Sequence, residues 1–165
     1  MKPVWLVSAC LLGRHCRYDG GHCYNPVVEE LKRHAEIIPV CPEMLGGLGV
    51  PRPPCEITGG TASDVWAGSA KVLDREGNDR TEAFKTGASK ALRLCREHGV
   101  QNALVKNNSP SCGCGTIYDG SFSRIKRRGN GVFAQCLLDA GINVVCDSNA
   151  AEKAGHEWRK GNAGI

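Results

Sequence analysis

Three things are missing from this chain, and each absence narrows what it does. No apolar run is long enough to cross a bilayer as a helix, so no membrane partner is expected. No segment repeats and no low-complexity tract occurs, which argues against repeat and collagen-like architectures. No two cysteines stand as C-x2-C, the pairing on which zinc ribbons and ferredoxins are built. An export signal is missing as well: the short apolar run in "MKPVWLVSACLLG" reaches the polar "GRHCRYDG" too soon for a secretory core. A cytoplasmic location is therefore expected, and disulfides are disfavoured there. Charge is also modest. The net +4 gathers in "SRIKRRG", residues 123 to 129, which suits a solvated loop or a contact with a substrate phosphate; nucleic acid is not the expected partner.

What is present is cysteine, ten in 165 residues, on a pattern of alternating elements. Residues 4 to 9, "VWLVSA", read as a buried parallel strand ending at Cys10. "NPVVEELKRH", 25 to 34, is predicted as an amphipathic helix with Asn before Pro at its start. "EIIPV", 36 to 40, is a second strand ending at Cys41. A turn-rich stretch from Cys41 to Gly60 follows, and "SAKVLDREGND", 69 to 79, reads as a hairpin or extended turn. Residues 81 to 99 carry apolar positions at three-four spacing and predict a helix stopped by Gly99. A strand over 100 to 106 leads into "NNSPSCGCGTIYDG", 107 to 120, whose glycines and polar residues predict a loop. A helix over 130 to 141 and a strand over 142 to 146 complete the pattern.

Such alternation predicts a small single-domain α/β fold, a Rossmann-like three-layer sandwich with a mostly parallel sheet, over residues 1 to 147. Residues 148 to 165 are set apart as a tail with a weak helical pattern. Parallel sheets place their sites beyond the carboxyl ends of their strands. Cys10, Cys41 and Cys112 are therefore expected to meet on one edge of the sheet. Cys16 lies in a similar turn-rich loop and is a fourth candidate. Spacing leaves an iron-sulfur cluster, zinc and plain thiols all open. Cys95, Cys136 and Cys146 read as small buried apolar residues, and Cys23 and Cys55 have no evident partner. Glu43, in "CPE", is either a proton carrier in the same crevice or a solvated loop residue. Ser8, Ser109 and Ser111 are either hydrogen-bond donors to sulfur or ligand, or ordinary turn formers.

The blocks "SACLLGRHCRYDGG", "VCPEMLGGLGVPRPPCEI" and "KNNSPSCGCGTIYDGSF" resemble the signature of a small bacterial domain-of-unknown-function family that includes the iron-sulfur-dependent thiouracil desulfidases. The resemblance runs to about residue 146. It implies a 4Fe-4S cluster with one iron not bound by protein, held by Cys10, Cys41 and Cys112 with Cys16 as the alternative ligand. It also implies a substrate that is a small thiolated base or nucleoside, and hydrolytic C–S cleavage to the oxo base and hydrogen sulfide with no net redox. On the same resemblance Glu43 activates water and Ser109 orients the substrate or that water. Cys114 departs from the expected pattern and is either a spare thiol or a further candidate ligand. Two other classes remain in play: a non-catalytic metal, iron-sulfur or nucleotide-binding module, and a thiol redox protein using Cys112 with Cys114. The sequence sets no oligomeric state.

Overall fold

A computed structural model describes residues 2–150. Its centre is a four-stranded sheet in the order β2-β1-β5-β8, from β1 (Val4–Ser8), β2 (Glu36–Val40), β5 (Asn102–Val105) and β8 (Asn143–Cys146). All three pairings are parallel. Strand β2 is an edge, which is why Pro39, lacking an N–H, is tolerated within it.

Period-two alternation sends neighbouring residues to opposite faces, and both faces are covered. On one side Trp5, Val7, Leu104 and Val145 pack with Val28 and Leu31 of α1 (Val27–His34). On the other, Leu6, Ala103 and Val105 pack with Phe84, Ala88 and Ala91 of α4 (Thr81–Glu97) and with Phe133 and Leu137 of α5 (Val132–Asp139). Full burial of the valine, leucine and phenylalanine side chains among them stabilises by about 1.5–3 kcal/mol each. Helix α1 adds acidic Glu29 and Glu30 in its first turn and basic Lys32 and Arg33 in its last, matching the helix dipole.

Between β2 and β5 the chain departs from the expected picture. The turn-rich stretch contains α2 (Pro42–Leu45) and β3 (Cys55–Thr58), followed by α3 (Ala62–Ala67). Residues 69 to 79 do not form a self-contained hairpin: β4 (Lys71–Asp74) pairs antiparallel with β3, and one isolated bridge joins Leu73 to Asp79. The predicted loop over 107 to 120 ends in β6 (Cys114–Tyr118), paired with β7 (Lys126–Asn130), so "SRIKRRG" is largely strand. Four- and five-residue strands with polar and glycine positions carry no periodicity strong enough to read.

The tail from residue 151 lies outside the described residues. Asp147–Asn149 form a 3-10 turn and Ala150 is buried in the α1-side core. No helix among the described residues is long and apolar enough to cross a membrane.

Candidate functional site

In this sheet order the chain leaves β1 for β2 on one side and later returns to β5 on the other, so the loops after β1 and β5 diverge. A cavity of about 580 Å³ opens there. Its walls include Ser8 at the end of β1 and Cys10 after it, Cys41 and Glu43 after β2, and Lys106 to Cys112 after β5, together with Cys16, Cys55 and Glu56. The four candidate thiols, Glu43 and Ser109 thus share one space.

Close backbone approach fixes two of these segments. Helix α2, which carries Glu43, lies so near α4 that a Cβ on Gly87 would stand 1.8 Å from the Pro42 carbonyl oxygen. Only glycine permits that contact. The loop carrying Ser109 and Cys112 caps α5: Val132 N–H donates to Pro110 O at 2.8 Å and Phe133 N–H to Ser111 O at 2.9 Å. These are first-turn N–H groups that have no partner within their own helix.

A chain of polar contacts leads to Glu43. Ser111 Oγ donates to Glu43 Oε2 at 2.8 Å, and Arg52 Nε donates to Oε1 at 3.2 Å. Ser109 Oγ lies 2.9 Å from Ser111 Oγ and accepts from the N–H groups of Ser111 and Cys112, both at 3.1 Å. Because Ser111 gives its proton to the carboxylate, the Ser109 hydroxyl must donate to Ser111, and the whole chain points at Glu43. Arg52 also donates to Cys16 O at 2.8 Å and Gly49 O at 3.0 Å, tying the first cysteine loop to α2. The Arg52 and Glu43 side chains are only 7% and 13% exposed, so this ion pair is shielded from solvent.

The thiols crowd one another. Contact with the Cys10 thiol holds Cys16 above its ordinary range, and contact with Cys16, reinforced by burial, raises Cys41. Burial pushes Cys112 up to about 12. As bare thiols they resist ionising; a bound cationic centre would supply the missing stabilisation of the thiolates. Among the described residues no three His, Cys, Asp or Glu side chains converge as they would on a single metal ion. Thiols that approach one another around one cavity without meeting at a point fit a multi-iron cluster, in which each thiolate takes its own iron.

A family model described as 2-thiouracil desulfurase matches residues 5–149. The chain belongs to that family. A relative from Bacillus subtilis (strain 168), the uncharacterised protein YbbK, is 43% identical over 143 residues, 87% of this chain and 95% of the relative. Among solved structures, the [4Fe-4S]-dependent thiouracil desulfidase TudS is similar with a TM-score of 0.82 and 37% identity, covering 93% of this chain and 96% of that one. The α/β fold with its parallel sheet is thus the fold of this desulfurase family member.

Several placements differ from the sequence reading. Cys114 is neither a ligand candidate nor a partner for Cys112: it is outside the cavity lining and joined in a disulfide to Cys146, with Cα atoms 5.7 Å apart. Cys146 is therefore not simply an apolar filler, and the unforeseen strand β6 is what brings the two together. Cys95 is fully buried in α4 as expected, whereas Cys136 is only half-buried. Of the basic segment only Arg124 lines the cavity; Arg127 turns to the Gly60 carbonyl. Arg52 and Glu56 escaped sequence reasoning because nothing in "VPRPPCEI" signals that a loop and a short strand return to the cavity. Ser111, which the sequence offers only as a generic donor or a turn former, is the serine that touches Glu43.

Proposed function

We propose that the protein is a 4Fe-4S-dependent desulfidase that converts thiolated pyrimidines of the 2-thiouracil type into the oxo base and hydrogen sulfide. One observation carries this reading: thiols from the segments that follow three parallel strands share a cavity with a shielded carboxylate fed by two serines and an arginine. The family and the likeness to TudS support the substrate class.

Cys10, Cys41 and Cys112 hold the cluster, and Cys16, in contact with both Cys10 and Cys41, is the alternative ligand. When bound, the cluster supplies a Lewis-acidic iron without a protein ligand that draws electron density from the C=S bond through sulfur. The chain's residues do the rest. Glu43 accepts from Ser111 and Arg52 yet keeps lone pairs free, so it can orient a water and take its proton. Ser111 and Ser109 hold that carboxylate in one rotamer, and Arg52 keeps its charge paired in a shielded setting. Water adds at the thioamide carbon, its oxygen becomes the carbonyl, and sulfur leaves as hydrogen sulfide with both water protons. No electrons are exchanged. A cavity of about 580 Å³ admits a base or a nucleoside.

The test is mass balance under oxygen-free conditions with 2-thiouracil and no added reductant. Uracil and sulfide should form in equal amounts. A requirement for an electron donor, or no sulfide from iron-loaded protein, would contradict the reading.

A further inference from the structure

Glu56 is a buried carboxylate that the reaction above does not use. It stands on β3, is 8% exposed and lines the cavity. Its Oε1 accepts from the N–H of Gly120 at 2.9 Å and of Phe122 at 3.2 Å, which holds the β6–β7 turn against β3. No lysine, arginine or histidine among the described residues pairs with it, and Oε2 takes no hydrogen bond there. The sole fully enclosed side-chain nitrogen or oxygen left without a partner among those residues is Arg127 Nε, so Oε2 is open, and the space Glu56 borders is the cavity. A carboxylate only 8% exposed, with no cation paired to it and one oxygen left without a protein donor, is a place for a ligand's donor.

The turn that Glu56 holds is itself unusual. Phe122 and Arg124 adopt left-handed backbone angles, φ 57° and 62°, which side chains rarely take and which cluster where ligands are gripped. Phe122 and Tyr118 both line the cavity, and aromatic side chains there suit a flat ring. We infer that Glu56 is a specificity-determining residue whose Oε2 accepts an N–H of the ring that carries the thiocarbonyl. This rests on the desulfidase reading. A pyrimidine thione has N–H groups flanking its C=S carbon, and a fixed acceptor for one of them would select that tautomer and set the ring's orientation.

The experiment compares 2-thiouracil with its 1-methyl and 3-methyl derivatives in iron-loaded wild type and Glu56→Gln. Kd is measured by calorimetry and turnover by sulfide release. Gln keeps an oxygen for the Gly120 and Phe122 amides and puts a donor where Oε2 was. In wild type, one methyl derivative should bind about ten- to hundredfold more weakly than 2-thiouracil. Glu56→Gln should weaken 2-thiouracil by a similar factor, leave kcat within about twofold, and cost nothing further for that derivative. Equal binding of all three compounds by wild type would overturn the assignment whatever the variant does. So would a fall in kcat at unchanged Kd. Binding selectivity without sulfide release would remove the reaction and retain the role of Glu56; turnover without selectivity would do the reverse.

Discussion

The cavity has one wall made of strand ends and another made of two small antiparallel sheets, and the two differ in what they present. The ends of β1, β2 and β5 deliver thiols, Glu43 and the serine pair. The antiparallel pairs β3–β4 and β6–β7 deliver Cys55, Glu56, Tyr118 and Phe122. The first wall is anchored to a buried sheet and to helices packed at glycine-only distance, so its groups are held for bond making. The second rests on short pairings and a strained turn, which suits selecting a ligand more than activating it. The proposed reaction and the inferred recognition thus draw on different parts of one chain.

Substitutions on each wall should therefore fail in different ways. Glu43→Gln should keep its iron and lower kcat by about 10²–10³, the range expected for a lost general base; unchanged turnover would remove the carboxylate from the reaction. Gly87→Ala places a methyl against Pro42 O, and should destabilise by about 1–3 kcal/mol in thermal or denaturant unfolding while also lowering kcat through α2. A variant as stable and active as wild type would show that α2 does not need that contact. On the antiparallel wall, Phe122→Ala should raise KM about tenfold with kcat nearly intact, the loss expected for a ring-stacking surface. A kcat effect without a KM effect would blur the division between walls. The smallest change is expected at Arg128, exposed on β7 and absent from the cavity: Arg128→Gln should alter stability by less than about 0.5 kcal/mol and leave KM unmoved at low salt.

The two walls also differ in how far the sequence reveals them. The strands that lead to Cys10 and Cys41 announce themselves by short apolar runs, buried along most of β1 and closing on buried Val40 in the edge strand β2, and the carboxyl-end rule then brings those cysteines together. The helix over 81 to 99 is equally legible from its three-four spacing, since a long amphipathic helix repeats its signal several times. Strand β3 is four residues and holds a buried glutamate, and β6 begins with cysteine and glycine, so neither carries a period. Their pairings are set by tertiary contacts: the β6–β7 turn reaches β3 through Glu56, 64 residues from its partner Gly120. Arg52 was hidden for the same reason, because its role exists only once α2 and the first cysteine loop have met. The Cys114–Cys146 disulfide, separated by 32 residues, likewise depended on a strand that was not foreseen.

The central claim is that three strand-end thiols hold an iron-sulfur cluster. It is tested most directly by iron and acid-labile sulfide per chain, after oxygen-free reconstitution, in wild type and in Cys10→Ser, Cys16→Ser, Cys41→Ser and Cys112→Ser. About four irons per chain are predicted for wild type and Cys16→Ser, with most of the iron lost from the other three. Zinc or no metal in wild type, or full iron in any of those three, would contradict it.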